Sequence, residues 1–242
     1  MLAQLLSKAG LFLGWDLIGA NASNPYGHYE DREVVSLHNK ILERHGLSWH
    51  IAEPFVPLLS RGDWNKMMEV VSERRKESVA WGFKDPRVCF FLSAWKHVVP
   101  QARICLIYRH PNEAVESLER RQSTDLFQGR GQAELHRKFW SDPDHGLKMW
   151  ICHNRALVRF IRAHPDDVHV VSLDDLVVGR SVVSELNQRW DLGLEEVETE
   201  RTIERSLVGR SERPRLVSDQ NLIDDALDLW TQLEGWSRAS NG

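Results

Sequence analysis

Apolar positions recur along this chain in two rhythms, that of a helix with one buried face and that of a buried strand. Residues 31–45 carry Val34, Leu37, His38, Ile41 and Leu42 at three- and four-residue spacing, which predicts an amphipathic helix. Trp64, Met67, Met68 and Val71 predict a second over 63–77. A long third helix is expected over 144–163, with Leu147, Trp150, Ile151, Leu157, Val158 and Ile161 facing inward. Residues 180–190 and 221–233 read as helices too, and 1–10 as a short one ended by Gly10. Between them lie runs of strand length, SVAWGF at 78–83 and the apolar, β-branched RICLIY at 103–108. Strands alternating with helices predict an α/β domain on a parallel sheet with right-handed crossovers. Residues 122–132 are mostly polar, contain Gly129 and Gly131, and read as a mobile loop.

Both strand-like runs end on a cation. RICLIY runs into Arg109-His110-Pro111 and then a helix-like stretch over 112–121, with Ser117 eight residues beyond Arg109. Ligands of open α/β sheets bind outside the carboxyl ends of the strands. A guanidinium there, with a hydroxyl two helical turns on, suits a phosphate; a surface Arg and a solvated Ser are the plain alternative. SVAWGF runs into Lys84-Asp85-Pro86-Arg87, ahead of a mostly apolar helix over 88–99. Pro86 suits a first helical turn, and Asp85 can cap it. Lys84 and Arg109 are therefore expected at neighbouring strand ends on one sheet edge, where two cations suit a polyanion.

Composition narrows this picture. A chain of 242 residues, 42% hydrophobic, supports one domain with a sizeable core. A net charge of −4 excludes broad nucleic-acid binding, so any anion needs a local basic pocket. Cys89, Cys105 and Cys152 form no Cys-x-x-Cys pair, and the first two sit in apolar runs; they read as thiols of a reducing, cytoplasmic compartment. Residues 1–22 end in Ala20-Asn21-Ala22 like a signal-peptidase site, but no basic residue precedes the apolar stretch, and Lys8 and Asp16 interrupt it. No apolar run is long enough to span a membrane. No metal-ligand cluster is legible, and most of the ten tryptophans, Trp95, Trp150 and Trp230 among them, read as core.

The ordered strings WGFKDPR, YRHPNEAVESLERR, NPYGHYEDREVVSLH (24–38) and VHVVSLDDLVV (168–178) resemble the sulfotransferases that use 3′-phosphoadenosine 5′-phosphosulfate, in their bacterial and glycan-modifying forms. The resemblance runs over nearly the whole chain. It implies a three-layer, P-loop-NTPase-like α/β fold with a central parallel sheet, and 3′-phosphoadenosine 5′-phosphosulfate as co-substrate. It assigns Arg109 and Ser117 to the 3′-phosphate, and Arg210, then Arg213, to a late basic loop that closes over the nucleotide. Lys84 stabilises charge on the sulfonate and bridging oxygen, or pairs structurally with an acid. Arg87 orients substrate, or pairs with Asp85. Glu30 matches the base that several glycan members use; His28 is the alternative base, and Asp31 a helix cap. The implied acceptor is a hydroxyl of a carbohydrate or another small molecule.

In that family a first strand and a phosphate loop precede the first helix. The chain opens on the stretch that resembles the helix itself, so strand and loop are expected to be absent and catalysis by this chain to be poor. Two other classes stay open. A degenerate nucleotide- or glycan-binding module would share the cation pair without turnover. A P-loop nucleotide kinase would need a Gly-Lys-Ser/Thr motif, which the sequence lacks.

Overall fold

The computed structural model describes residues 1–20, 27–199 and 217–240. Some of its helices begin where a side chain satisfies a first N–H group. Helix α1 spans Leu2–Lys8. Helix α2, Arg32–Arg44, is capped by Asp31, whose carboxylate accepts from the Glu33 N–H at 3.0 Å. Helix α3, Arg61–Glu77, opens on a reciprocal box in which Ser60 and Asp63 cap each other's backbone. A 3₁₀ turn over Pro86–Phe90 starts at Asp85 and leads into α4, Leu92–Val98. Strand β1, Ile104–Tyr108, feeds α5, Pro111–Phe127. Then come α6, Ala133–Ser141, and α7, His145–Ala163. Strand β2, Val168–Ser172, feeds α8, Leu173–Val177; α9, Val182–Trp190, and α10, Asn221–Ala239, follow.

The fold is mixed α/β around a parallel β1–β2 pair, with Ile104 opposite Val168 and Tyr108 opposite Ser172. Alternate strand residues face opposite sides. Leu106, Tyr108, Val168 and Val170 pack on α5, α7 and α10 through Val115, Leu147, Ile161 and Leu233. Cys105, Ile107 and Val171 pack on α1 and α9 through Leu5, Leu6, Val182 and Leu186. Helices on both faces explain why each strand reads as a continuous apolar run rather than an alternating one. A further core joins α2, α3 and α4 through Ile41, Met67, Val70, Phe91 and Trp95.

Two expectations are corrected. Residues 78–83 are not a strand: only Trp81 bridges, in parallel, to Phe12, with Phe12 N–H donating to the Ala80 carbonyl and Gly82 N–H to the Phe12 carbonyl. Lys84 therefore leaves an extended segment that is not paired with β1, whose strand partner among the described residues is β2. The expected loop at 122–132 is also partly wrong, because α5 continues to Phe127. Its polar residues hold the helix: buried Gln122 bonds to the His136 ring on α6.

The interior contains ionisable groups. Arg74 of α3 is 3% exposed and donates to Asp31 at 2.6 Å and to Glu33 at 2.8 Å, with Trp15 stacked on its guanidinium. Four buried or half-buried histidines are held below the ordinary value, each chiefly by burial: His50 down to about 3, His153 down to about 4, and His145 and His169 by less. All four fold neutral, so the unfolded chain binds more protons as pH falls below about 6.5. Their contribution to stability is complete above that value and is lost progressively towards pH 4 and below. The melting temperature is expected to be level near neutrality and to fall on acidification below pH 6.5; a level curve down to pH 5 would contradict the assignment, and His153→Phe should flatten part of the slope.

Candidate active site

One cleft of about 1460 Å³ runs along β1. Its walls are β1 itself, the segment 78–85, α1 and the inward side of the 3₁₀ turn and α4, largely through Leu2, Leu6, Leu11, Val88 and Leu92. His28, Lys84, Arg109 and, on α5, Ser117 are among its polar lining, as are Arg75, Lys96 and Arg103. The shared sheet edge expected for Lys84 and Arg109 is thus replaced by a shared cleft. Arg120, Arg121 and Thr124 line the same cleft and were not singled out from sequence. Their signal was available: they fall three, four and seven residues after Ser117, on one face of a helix.

Each candidate side chain is placed by a local cause. Pro111 opens α5 immediately after the strand, and within its first turn Glu113 accepts from Arg109 Nε at 3.1 Å, aiming the guanidinium along the helix. Tyr29 adopts a left-handed backbone, φ 54°, between His28 and Glu30. Such a turn is uncommon for a bulky residue and costs about 1 kcal/mol or more. Backbone bonds to Ile18 from both sides hold it: His28 N–H donates to the Ile18 carbonyl, and Ile18 N–H to the Glu30 carbonyl. Glu30 is thereby buried, 5% exposed, with Lys84 Nζ at 2.5 Å and His28 Nδ1 at 3.7 Å.

Glu30 is ionised, as a general base must be, but it is held less basic than that role favours. Burial would raise its carboxyl, but the hydrogen bond with His28 and the charge and hydrogen bond of Lys84 outweigh it, and the group sits below the ordinary value. A raised value would make it the stronger base. Arg87 forms the expected pair with Asp85, through both its backbone N–H and its guanidinium, and lies 3.7 Å from Glu30. Asp31 is the cap that was expected. Arg210 and Arg213 fall outside the described residues.

Thiol chemistry is remote from this site's resources. The Cys105 sulfur is pushed up to about 12 by burial and Cys152 up to about 11, so neither supplies a thiolate near neutrality. No group of three or more metal-ligating side chains occurs among the described residues. No helix among them is long and apolar enough to cross a membrane. What the cleft offers is a largely apolar wall whose lining includes cations, a hydroxyl, the Asp85 carboxylate and an imidazole, with Glu30 outside that lining and joined to it through Lys84, a set suited to a phosphorylated ligand with an apolar or aromatic body. No family model, curated protein or solved structure matches the chain.

Proposed function

We propose that this chain is a sulfotransferase of the three-layer, P-loop-like α/β class, acting on the hydroxyl of a carbohydrate or other small acceptor with 3′-phosphoadenosine 5′-phosphosulfate as donor. The single observation carrying the reading is the convergence of Lys84, His28, Arg109 and Ser117 on one cleft from segments far apart in sequence. The donor's chemistry when bound is a transferable sulfuryl group on a phosphate leaving group. Arg109 and Ser117 suit its 3′-phosphate: one offers a planar fork of donors aimed by Glu113, the other a hydroxyl from the same helix. Arg120 and Arg121 on that face add positive potential for an anion approaching the cleft.

Lys84 is the cation at the other end. In transfers of this kind positioning and charge stabilisation dominate, and a fixed ammonium at the site of developing charge is the main contribution a side chain makes. Lys84 is 41% exposed at its side chain, reaching from Glu30 toward open cleft. Glu30 takes the acceptor's proton in this reading once Lys84 turns from it towards the donor, which relieves part of what holds its carboxyl down. His28, lining the cleft beside it, is the alternative base. One observation favours a binding-only protein instead: the Lys84–Glu30 pair, at 2.5 Å, engages the catalytic cation and the base with each other.

The test is calorimetry with 3′-phosphoadenosine 5′-phosphate. Arg109→Ala is expected to weaken binding by about 1.5–3 kcal/mol, the usual scale for a hydrogen bond to a charged group, or roughly ten- to a hundredfold. Equal affinity in mutant and parent would refute the 3′-phosphate assignment. Failure of the parent to bind the nucleotide at all would refute the reading as a whole.

A further inference from the structure

A buried line of hydrogen bonds and ion pairs runs from the core to Lys84 in the cleft lining. His38, on α2, is wholly buried, stacked on Phe91 with ring centroids 4.2 Å apart. Trp95 Nε1 lies 2.9 Å from His38 Nε2. An indole nitrogen only donates, so His38 Nε2 carries the lone pair and the ring proton sits on Nδ1. That proton points at Asp85 Oδ2, 2.7 Å away. The other Asp85 oxygen accepts from the Arg87 backbone and guanidinium. Arg87 Nη1 then lies 3.7 Å from Glu30, which pairs with Lys84. Burial would raise the Asp85 carboxyl, but the His38 hydrogen bond and the Arg87 charge hold it down at about 2.

We infer that His38 is a positioning residue: with its tautomer set by Trp95, it fixes Asp85 and so the Lys84-Asp85-Pro86-Arg87 turn that presents Lys84 and Arg87 to Glu30. The inference rests on the proposed sulfuryl transfer for its catalytic consequence, though not for its geometry. Asp85 has two jobs that compete for orientation, capping the 3₁₀ turn and holding Arg87. A carboxylate bonded only to its own turn could rotate. One anchored from behind by an imidazole cannot, because neutral His38 has a single N–H and Trp95 occupies its other nitrogen. A hydrogen-bonded imidazole partner of this type commonly orients a group that does the chemistry without touching substrate itself. The residues concerned come from α2, α4 and the 3₁₀ turn, so the turn that carries Lys84 is tied to the core that those elements share.

Long-range ¹H–¹⁵N spectra of the full chain should show His38 as the Nδ1–H tautomer at neutral pH. The Glu30 carboxyl, followed by ¹³C spectroscopy, should titrate below the ordinary glutamate value of about 4.3. In His38→Phe the Glu30 midpoint is expected to rise towards that value, and in His38→Gln to stay, because a Gln amide can accept from Trp95 and donate to Asp85. If His38→Phe does not fold, Trp95→Phe, which keeps a ring but frees the tautomer, is expected to give a smaller rise in the same direction. Transfer should fall about tenfold or more in kcat for His38→Phe, recover in His38→Gln, and leave KM for the nucleotide unchanged. An unmoved Glu30 midpoint in both ring variants, or an Nε2–H tautomer in the parent, would overturn the inference. Absence of nucleotide binding or transfer by the parent would instead strike the proposed function, while the Glu30 titration still decides the role of His38.

Discussion

Asp31→Ala is expected to cost about 3–5 kcal/mol of stability, the scale for leaving a buried charge without its partner. Asp31 is 1% exposed and the Arg74 it binds is 3% exposed. Removing the carboxylate leaves a guanidinium in the interior with Glu33 as its nearest remaining acid, at 2.8 Å. The same change deletes the cap of α2, worth typically about 1 kcal/mol. Against a total of roughly 5–15 kcal/mol this is enough to unfold a sizeable fraction of the protein near its working temperature. Asp31→Asn keeps the cap and loses only the charge, so it should cost less. The double variant Asp31→Ala/Arg74→Met removes both charges and should be more stable than Asp31→Ala alone. Urea midpoints at unchanged slope measure all three; a loss below about 1 kcal/mol for Asp31→Ala would show that Arg74 is served by water or Glu33 instead. The site is also closed to added bulk: a Cβ at Gly14, where φ is +123°, would lie 2.2 Å from Asp31 Oδ2.

Lys84→Met should lower the transfer rate by about a hundred- to a thousandfold, the usual cost of losing one preorganised donor at developing charge. Nucleotide affinity should change far less, since Arg109 and Ser117 engage the donor's other end. The two numbers together separate a catalytic cation from a binding one. A second signature follows from the geometry. With Lys84 gone, Glu30 keeps only His28 and Arg87, both at 3.7 Å, and burial then acts with less opposition. Its carboxyl midpoint should rise in the same variant that loses rate. Initial rates with labelled donor over a panel of hydroxyl acceptors give the first reading, and carboxyl titration the second. A rate within about threefold of the parent would remove Lys84 from the mechanism.

What could be read from sequence followed the reach of local forces. The runs at 103–108 and 168–173 formed strands because β-branched residues there are covered on both faces. Asp85 before Pro86, and Asp31 before α2, capped as their types demand. The run at 78–83 is also largely apolar, with Val79 its one β-branched residue, and forms one bridge, because pairing needs a neighbour at the right place and composition does not supply one. Gln122 looked like loop chemistry, yet His136 fourteen residues on makes it a helix residue. His38 falls on the apolar face that the spacing predicts for its helix, but its partners stand 47 and 57 positions away. No local spacing could announce that they join a line leading to Lys84 and Glu30. The direction in which Glu30 shifts was equally hidden, because it depends on burial, on His28 and on Lys84, brought in from fifty-four positions away.

The parallel ladder has a consequence for how the chain assembles. Its two strands close a loop of about sixty residues, a span whose entropic cost exceeds that of a loop half as long by only about 0.6 kcal/mol. Three helices lie inside that loop, and α7 alone supplies Leu147, Ile151, Val158 and Ile161 to the face that β1 and β2 share. The ladder therefore has no local nucleus. Its hydrogen bonds reward the chain only after that loop has closed, so by topology the pairing that lines the cleft is slow to form compared with the helices between the strands.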